Sequence, residues 1–311
     1  MRDLYLKYIR KFLSLVGYYK IKSAIKMHFY LKRLRKEDAE KRTELNGLID
    51  NLQGRVVNQD NNLIVSLTSY GHRITTTLPY TLYSLLTQDV LPGRIVVYLS
   101  ISEKNPENLP LILKKIEKCG VEFYYVEDIK SYKKLIPALK MFPNNPILTV
   151  DDDMYYDNTF VKCFIEEYEN SDKRTVLGTF GRMVTRDSNG TLLPYSKWEN
   201  ITDENITSKS VSFYGCGGCL YPPSIFDNEV LNESIFLKLA PWADDLWLWV
   251  MEQRCSIKTK LIGDYKEKKY IPVDRTTFFE LDRQDCLCSY NDGMGGNDIQ
   301  LKALLEYYNL T

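Results

Sequence analysis

Apolar residues along this chain fall in short blocks separated by turn signals. Residues 63–70, Leu-Ile-Val-Ser-Leu-Thr-Ser-Tyr, form a continuous run of strand length that stops at Gly71-His72-Arg73. A helical pattern covers residues 78–87, and the Pro92-Gly93 turn leads into a second apolar block at 94–99. The alternation repeats as helix 109–118, strand 121–126 and helix 131–140, then the turn Pro143-Asn144-Asn145-Pro146 and a strand over 147–150. Further helices are predicted at 160–170 and 299–308 and a strand at 175–180, with a polar, irregular stretch at 182–210. Strands alternating with helices predict an α/β fold, a mostly parallel sheet with covering helices.

The strand at 147–150 runs into Asp151, Asp152 and Asp153, then Met154-Tyr155-Tyr156. Adjacent carboxylates repel, and the simplest neutralising partner is a divalent cation with oxygen ligands. If strand alternation continues, Asp151 and Asp153 share a face and converge on one Mn²⁺ or Mg²⁺ ion, with Asp152 opposite. The carboxyl end of a strand is also where α/β sheets bind ligands. A solvated acidic turn is the plainer alternative.

Composition sharpens the picture at the N-terminus. The chain has 311 residues, 44% hydrophobic and 26% charged, enough for a sizeable core. Its net charge is zero, yet residues 1–36 hold eleven Lys/Arg against one acid, Asp3, so the remainder is acidic. Leu6, Ile9, Leu13 and Val16 recur at helical spacing among Lys7, Arg10 and Lys11, as in an amphipathic helix lying on an anionic membrane surface. No apolar run approaches the ~18 to 20 residues that span a bilayer. Residues 1–45 are therefore expected to be a basic, helical membrane-association segment, 46–62 a linker, and 63–311 the main domain. The expected location is cytoplasmic, peripheral on the inner face of the cell membrane, with no nucleic-acid partner. Seven scattered cysteines, an odd number, fit a reducing compartment. Cys216-Gly-Gly-Cys219 and Cys286-Leu-Cys288 do not make a matched pair of zinc knuckles.

Residues 65–156, with Ser66-Leu67-Thr68-Ser69-Tyr70, Asp128-Ile129-Lys130-Ser131-Tyr132-Lys133-Lys134-Leu135-Ile136-Pro137 and Asp151-Asp152-Asp153, resemble GT-A-fold glycosyltransferases of bacterial surface-polysaccharide (capsule or O-antigen) biosynthesis. The resemblance extends less sharply to about Asp298 and leaves out the N-terminal helix. It implies a Rossmann-like GT-A domain that moves a sugar from a nucleotide-diphosphate donor, such as a UDP-sugar, to a glycan or lipid-linked acceptor, with Mn²⁺ or Mg²⁺ on the diphosphate. By this resemblance Thr68, Ser69, Tyr70 and Arg73 hold the donor's base and ribose, with Tyr70 stacking and Arg73 pairing with phosphate. Asp151 and Asp153 hold the metal beside Asp152, and one of Lys133 and Lys134 meets the diphosphate while the other stays solvated.

Three further stretches carry candidates. Glycines 215, 217 and 218 interrupt a strand, which permits close approach of a ligand backbone or marks a bulge; Gly217 and Gly218 are candidates for the donor sugar. Asp244 and Asp245 open an aromatic helix, where acids suit the helix dipole. The resemblance makes Asp245 the base that deprotonates the acceptor hydroxyl in an inverting reaction, with Asp244 as its neighbour. Of Trp242, Trp247 and Trp249, at least one belongs to the core at that spacing; Trp198 reads equally as a sugar platform or a loop pin. The family often supplies a late histidine to the metal, but none follows His72, leaving Asn297, Asp298 or water in that role. Asp298 is explained equally well as a helix N-cap. A sugar-phosphate nucleotidyltransferase would need a glycine-rich basic loop, for which this chain offers only Gly71-His72-Arg73. A non-catalytic, metal-dependent carbohydrate-binding protein is the remaining rival.

Overall fold

The computed structural model describes residues 18–52, 61–105, 107–201, 207–208, 211–262, 270–278, 290–291 and 294–310. In chain order the strands are β1 (Ile64–Thr68), β2 (Arg94–Ser100), β3 (Val121–Val126), β4 (Ile147–Thr149), β5 (Met154–Tyr156), β6 (Thr175–Gly178), β7 (Gly181–Met183), β8 (Glu199–Asn200), β9 (Thr207–Ser208), β10 (Val211–Phe213), β11 (Cys219–Tyr221), β12 (Lys258–Leu261) and β13 (Tyr270–Pro272). The helices are α1 (Tyr18–Asp50), α2 (Arg73–Thr76), α3 (Leu78–Leu86), α4 (Leu111–Glu117), α5 (Ile136–Met141), α6 (Phe160–Glu169), α7 (Glu233–Leu239), α8 (Asp244–Arg254) and α9 (Gly296–Tyr308).

The central sheet has the order β3-β2-β1-β4-β11-β6-β12-β9. β1 to β4 are mutually parallel where they pair, and β6 and β12 are parallel, while β11 runs antiparallel between β4 and β6. This is the α/β, mostly parallel architecture that the pattern predicts. The apolar runs are continuous because both faces of the sheet are covered. Val65, Leu67, Val97 and Leu99 pack on one side with Leu82, Leu85 and Phe160; Ile64, Val96 and Tyr98 pack on the other with Tyr132 and Trp247. The chain lays down β2 and β3 on one side of β1, then returns β4 to the other. The carboxyl ends of β1 and β4 therefore flank a topological switch point, the preferred ligand position of such sheets.

Three local expectations change. The helix expected at 131–140 is instead a 3₁₀ turn, Lys130–Lys134, followed by α5. Pro137, in the first turn of α5, lacks the N–H that an unbroken helix would require, so the chain restarts there. The last helix begins at Gly296 with Gly295 capping it in the left-handed region, φ +73°, which places Asp298 inside the first turn and not at the cap. Residues 46–50, expected as linker, are the last turn and more of α1.

That helix docks on the main domain from its middle onward. Leu34, Leu45, Ile49 and Leu52 are buried, and Arg275 clamps Asp38, with Nε to Oδ1 at 2.6 Å and the Arg275 amide to Oδ2 at 3.0 Å. The Tyr80 hydroxyl donates to Asn46 at 3.1 Å, and Lys41 lies 3.9 Å from the centre of the Tyr155 ring. Residues 23–30 are exposed, among them Ile25 and Phe29. Leu6, Ile9, Leu13 and Val16 of the predicted amphipathic pattern lie outside the described residues, as do Cys286 and Cys288. Among the described residues no helix is long and apolar enough to cross a membrane.

Candidate active site

β4 ends at Thr149, and the acids that follow occupy a turn before β5, so strand alternation does not carry through them. Asp151 and Asp153 are not a matched pair on one face. Asp152 and Asp153 both meet the Arg73 guanidinium, each 3.0 Å from Nη1, whereas Asp151 meets Lys134 at 3.4 Å. Asp152 also accepts the Ser69 hydroxyl at 2.5 Å. Burial raises the Asp152 carboxyl against the opposing pull of Arg73 and Ser69. The guanidinium stays firmly charged: burial opposes its charge, but Asp152 and Asp153 outweigh that. Two side-chain cations thus face the three acids, of which the sequence assigned Asp151 and Asp153 to a metal.

The residues after β1 divide by role. Thr68 ties β1 to β2 by donating to the Tyr98 carbonyl at 2.7 Å, and Ser69 is fully buried on Asp152. Tyr70 is exposed, with the Arg73 guanidinium 5.3 Å from its ring centre. Within this group Tyr70 carries the exposed ring, and Arg73 is turned inward onto the acids.

Neither Lys133 nor Lys134 of the 3₁₀ turn is solvated, contrary to the expectation for one of them. Lys133 is buried against Asp128. Lys134 is buried too, and its ammonium lies 3.1 Å from Asp244 Oδ2 as well as 3.4 Å from Asp151. Burial would lower its pKa, but Asp244, Asp151 and Asp245 hold it well above the usual lysine range. The Ser66 hydroxyl, buried in β1, donates to the Lys134 carbonyl at 2.5 Å and anchors this end of the turn to the sheet.

Asp244 and Asp245 open α8 and reach the same cluster. Asp244 Oδ1 accepts the Ser131 hydroxyl at 2.8 Å, and Asp245 Oδ2 lies 3.4 Å from the Gly215 amide. Burial, with the nearby charges of Asp244 and Asp151, pushes the Asp245 carboxyl up to about 7 against the pull of Lys134. Seven positions along α8, buried Glu252 is raised well above a normal glutamate, by burial first and Asp245 second. That spacing was legible as a shared helix face, but nothing in the sequence signalled its burial.

The glycines have separate duties. Gly217 and Gly218 pack inward: a Cβ would stand 2.5 Å from Thr179 Oγ1 at the first and 2.7 Å from Phe160 Cζ at the second, where φ is +88°. Gly215 approaches the charged cluster, with a Cβ there only 2.2 Å from Lys134 Nζ and 3.4 Å from Asp151 Oδ1. Gly215 is the residue that sequence reasoning underweighted. Among the tryptophans, Trp247, Trp249 and Trp198 are buried, with Trp198 donating to the Leu193 carbonyl at 2.9 Å as a loop pin. Trp242 alone of the four is exposed. Asn297 is buried in the first turn of α9, and the Asp298 carboxylate lies 3.3 Å from the Ser196 amide, so its contact is to the loop before β8.

Among the described residues no group of three or more His, Cys, Asp or Glu side chains is arranged to hold a metal. Asp151 and Asp153 keep 31% and 26% side-chain exposure, while Asp152 is committed internally. Two partly exposed carboxylates suit Mg²⁺, which takes one or two from the protein and completes its octahedron with phosphate oxygens and water.

No protein-family model matches the chain, and no curated protein matches it. Solved structures similar to it include S. aureus TarS 1–349 in complex with UDP, 16% identical with a TM-score of 0.44, matching 67% of this chain and 59% of that one. Another is CMP:2-keto-3-deoxy-manno-octonic acid synthetase with CTP, 7% identical with a TM-score of 0.39, over 64% of this chain and 88% of that one. A third is glucosyl-3-phosphoglycerate synthase from Mycobacterium tuberculosis with Mn²⁺, UDP and phosphoglyceric acid, 14% identical with a TM-score of 0.30, over 43% and 46%. The chain thus spans about three fifths of the TarS fragment. At TM-scores below 0.5 these likenesses lend no role to any residue here, and the chemistry rests on the side chains of this chain.

Proposed function

We propose that the protein is a nucleotide-sugar-dependent glycosyltransferase of GT-A type, inverting, acting on a glycan or lipid-linked acceptor. The observation that carries this reading is the Lys134 ammonium, which joins the acids after β4 to the aspartate pair of α8 and so unites a donor side and a base side at the switch point. The donor's base stacks on exposed Tyr70, and its diphosphate lies over the β4 end, where Asp151 and Asp153 would hold Mg²⁺ or Mn²⁺. When bound, that ion supplies charge for the departing diphosphate. Asp245, with a pKa of about 7, takes the proton of the acceptor hydroxyl as that oxygen attacks the anomeric carbon. Lys134 holds Asp244 and Asp151 in place, and Ser131 orients Asp244.

The basic stretch of α1 from residue 23 onward, exposed through residue 30, extends the proposal to location. Ile25 and Phe29, four residues apart, share a helix face with Lys32 and Lys36, a combination suited to an anionic membrane surface on the cytoplasmic side.

The test is a panel of nucleotide-sugars offered with glycan acceptors and Mg²⁺ or Mn²⁺, scored by release of nucleoside diphosphate. Turnover with at least one donor is expected, lost in Asp153→Ala. Silence across the panel, or full turnover in Asp153→Ala, would overturn the reading.

A further inference from the structure

The 3₁₀ turn and the segment leading into α8 are stapled together residue by residue. The Tyr132 hydroxyl donates to the Ala240 carbonyl at 2.6 Å, Ser131 donates to Asp244 at 2.8 Å, and Lys134 meets Asp244 at 3.1 Å. Between these contacts lies one that the chemistry above leaves unused: the Lys130 ammonium sits 3.4 Å from the centre of the Trp242 ring. Trp242 is 39% exposed, two residues before the aspartate pair. Its backbone is held on both sides, the amide by Gln300 Oε1 at 2.8 Å and the carbonyl by Asn291 Nδ2 at 2.7 Å, with Gln300 also donating to Asn291 at 3.2 Å. A tryptophan kept at the surface by such a clamp is a rigid platform with a large apolar face.

Lys130 is equally specific. Its backbone takes a left-handed conformation, φ +59°, held by Asp128 Oδ1 accepting the Lys130 amide at 3.0 Å. The same Asp128 oxygen is the ion-pair partner of the Lys133 ammonium; the Lys130 ammonium rests on the indole and, among the described residues, feels Asp128 without making a salt bridge to it. A cation over an aromatic face is a modest attraction at a surface, and an anion can compete for it. The pair presents a positive charge and a flat apolar ring, the ring on the segment that leads into α8, three residues before the proposed base.

We infer that Trp242 and Lys130 form an acceptor subsite for a sugar ring that carries an anionic group, a phosphate or a carboxylate. The ring stacks on Trp242, the anion meets Lys130, and a hydroxyl is presented toward Asp245. This inference rests on the proposed transfer reaction for its meaning, but its binding test does not depend on any donor.

The other three tryptophans are buried, so a ligand-induced change in fluorescence lost on Trp242→Phe reports this residue. Titration of the full-length protein with glucose 6-phosphate, glucuronate, glucose and inorganic phosphate separates the contributions. Saturable quenching by glucose 6-phosphate or glucuronate is expected, with the stronger of the two identifying the anion, and with weaker binding of glucose. Trp242→Ala and Lys130→Met should each weaken the charged sugar about tenfold, the size of one such contact at ~1.4 kcal/mol. Binding of UDP should be unchanged in both variants, which separates this subsite from the donor side. Equal affinity for glucose and its charged derivatives would overturn the anion requirement. Inorganic phosphate binding as tightly as glucose 6-phosphate, or unchanged charged-sugar affinity in Trp242→Ala, would overturn the platform. If the wild-type protein quenches with charged sugars yet turns over no nucleotide-sugar, the subsite stands and the transferase reading falls.

Discussion

Replacing Lys134 with Met tests the centre of the site. The ammonium is buried and lies 3.4 Å from Asp151 and 3.1 Å from Asp244; methionine keeps much of the length and removes the charge. Breaking a buried ion pair by removing one partner costs about 3–5 kcal/mol, because the other charge is left uncompensated. In a domain of this size that lowers Tm by roughly 10 °C. The pH dependence carries the diagnostic sign. Without the ammonium, Asp245, already pushed up to about 7 by burial and its acidic neighbours, loses the cation that pulls it down and rises further above its unfolded value near ~4. The folded variant then binds more protons than the unfolded chain over that interval, and its stability falls as pH rises. Urea unfolding followed by circular dichroism should therefore show a larger deficit against wild type at pH 8 than at pH 5. A variant within about 1 kcal/mol of wild type at pH 8 would refute the bridge, given the 3–5 kcal/mol expected. A deficit of equal size at both pH values would reduce it to packing.

The Asp245→Asn protein should bind donor and lose transfer, while the wild-type rate rises with pH through about 7 and then levels as the base ionises. Because the Asp245 pKa lies above its unfolded value, ionisation costs the wild type stability between pH ~4 and 7; Asp245→Asn should gain up to about 4 kcal/mol at pH 8 and little at pH 4. Gly218→Ala forces a side chain into a left-handed backbone, with its Cβ 2.7 Å from Phe160 Cζ, and should lose about 2 kcal/mol or more in thermal unfolding. Removal of residues 1–33 should release the protein from anionic vesicles at physiological salt, as polybasic attachment requires. Equal flotation of the shortened and full chains would sink the membrane assignment.

Short apolar blocks between turn signals were enough to locate β1 to β4, the helices after β1 and β2 and the acid-bearing end of β4, because the apolar content that buries the strands is written in their own residues. The same local signal could not show β11 entering antiparallel between β4 and β6, since pairing partners are chosen over long sequence separations. Nor could it show α1 running to Asp50 and docking through Asp38 on Arg275, 237 residues away.

The sequence by itself placed Asp151–Asp153 and Asp244–Asp245 as candidate chemistry, since runs of acids at the ends of apolar segments are conspicuous in one dimension. Tertiary structure alone decided what those acids face. A carboxylate's charge depends on neighbours a few ångströms away: Arg73 for Asp152 and Asp153, Lys134 for Asp151 and Asp244, and the Gly215 amide for Asp245. Those neighbours come from the start of α2, the 3₁₀ turn and the glycine turn after β10. Only folding brings them to one switch point and removes the water that would otherwise screen them.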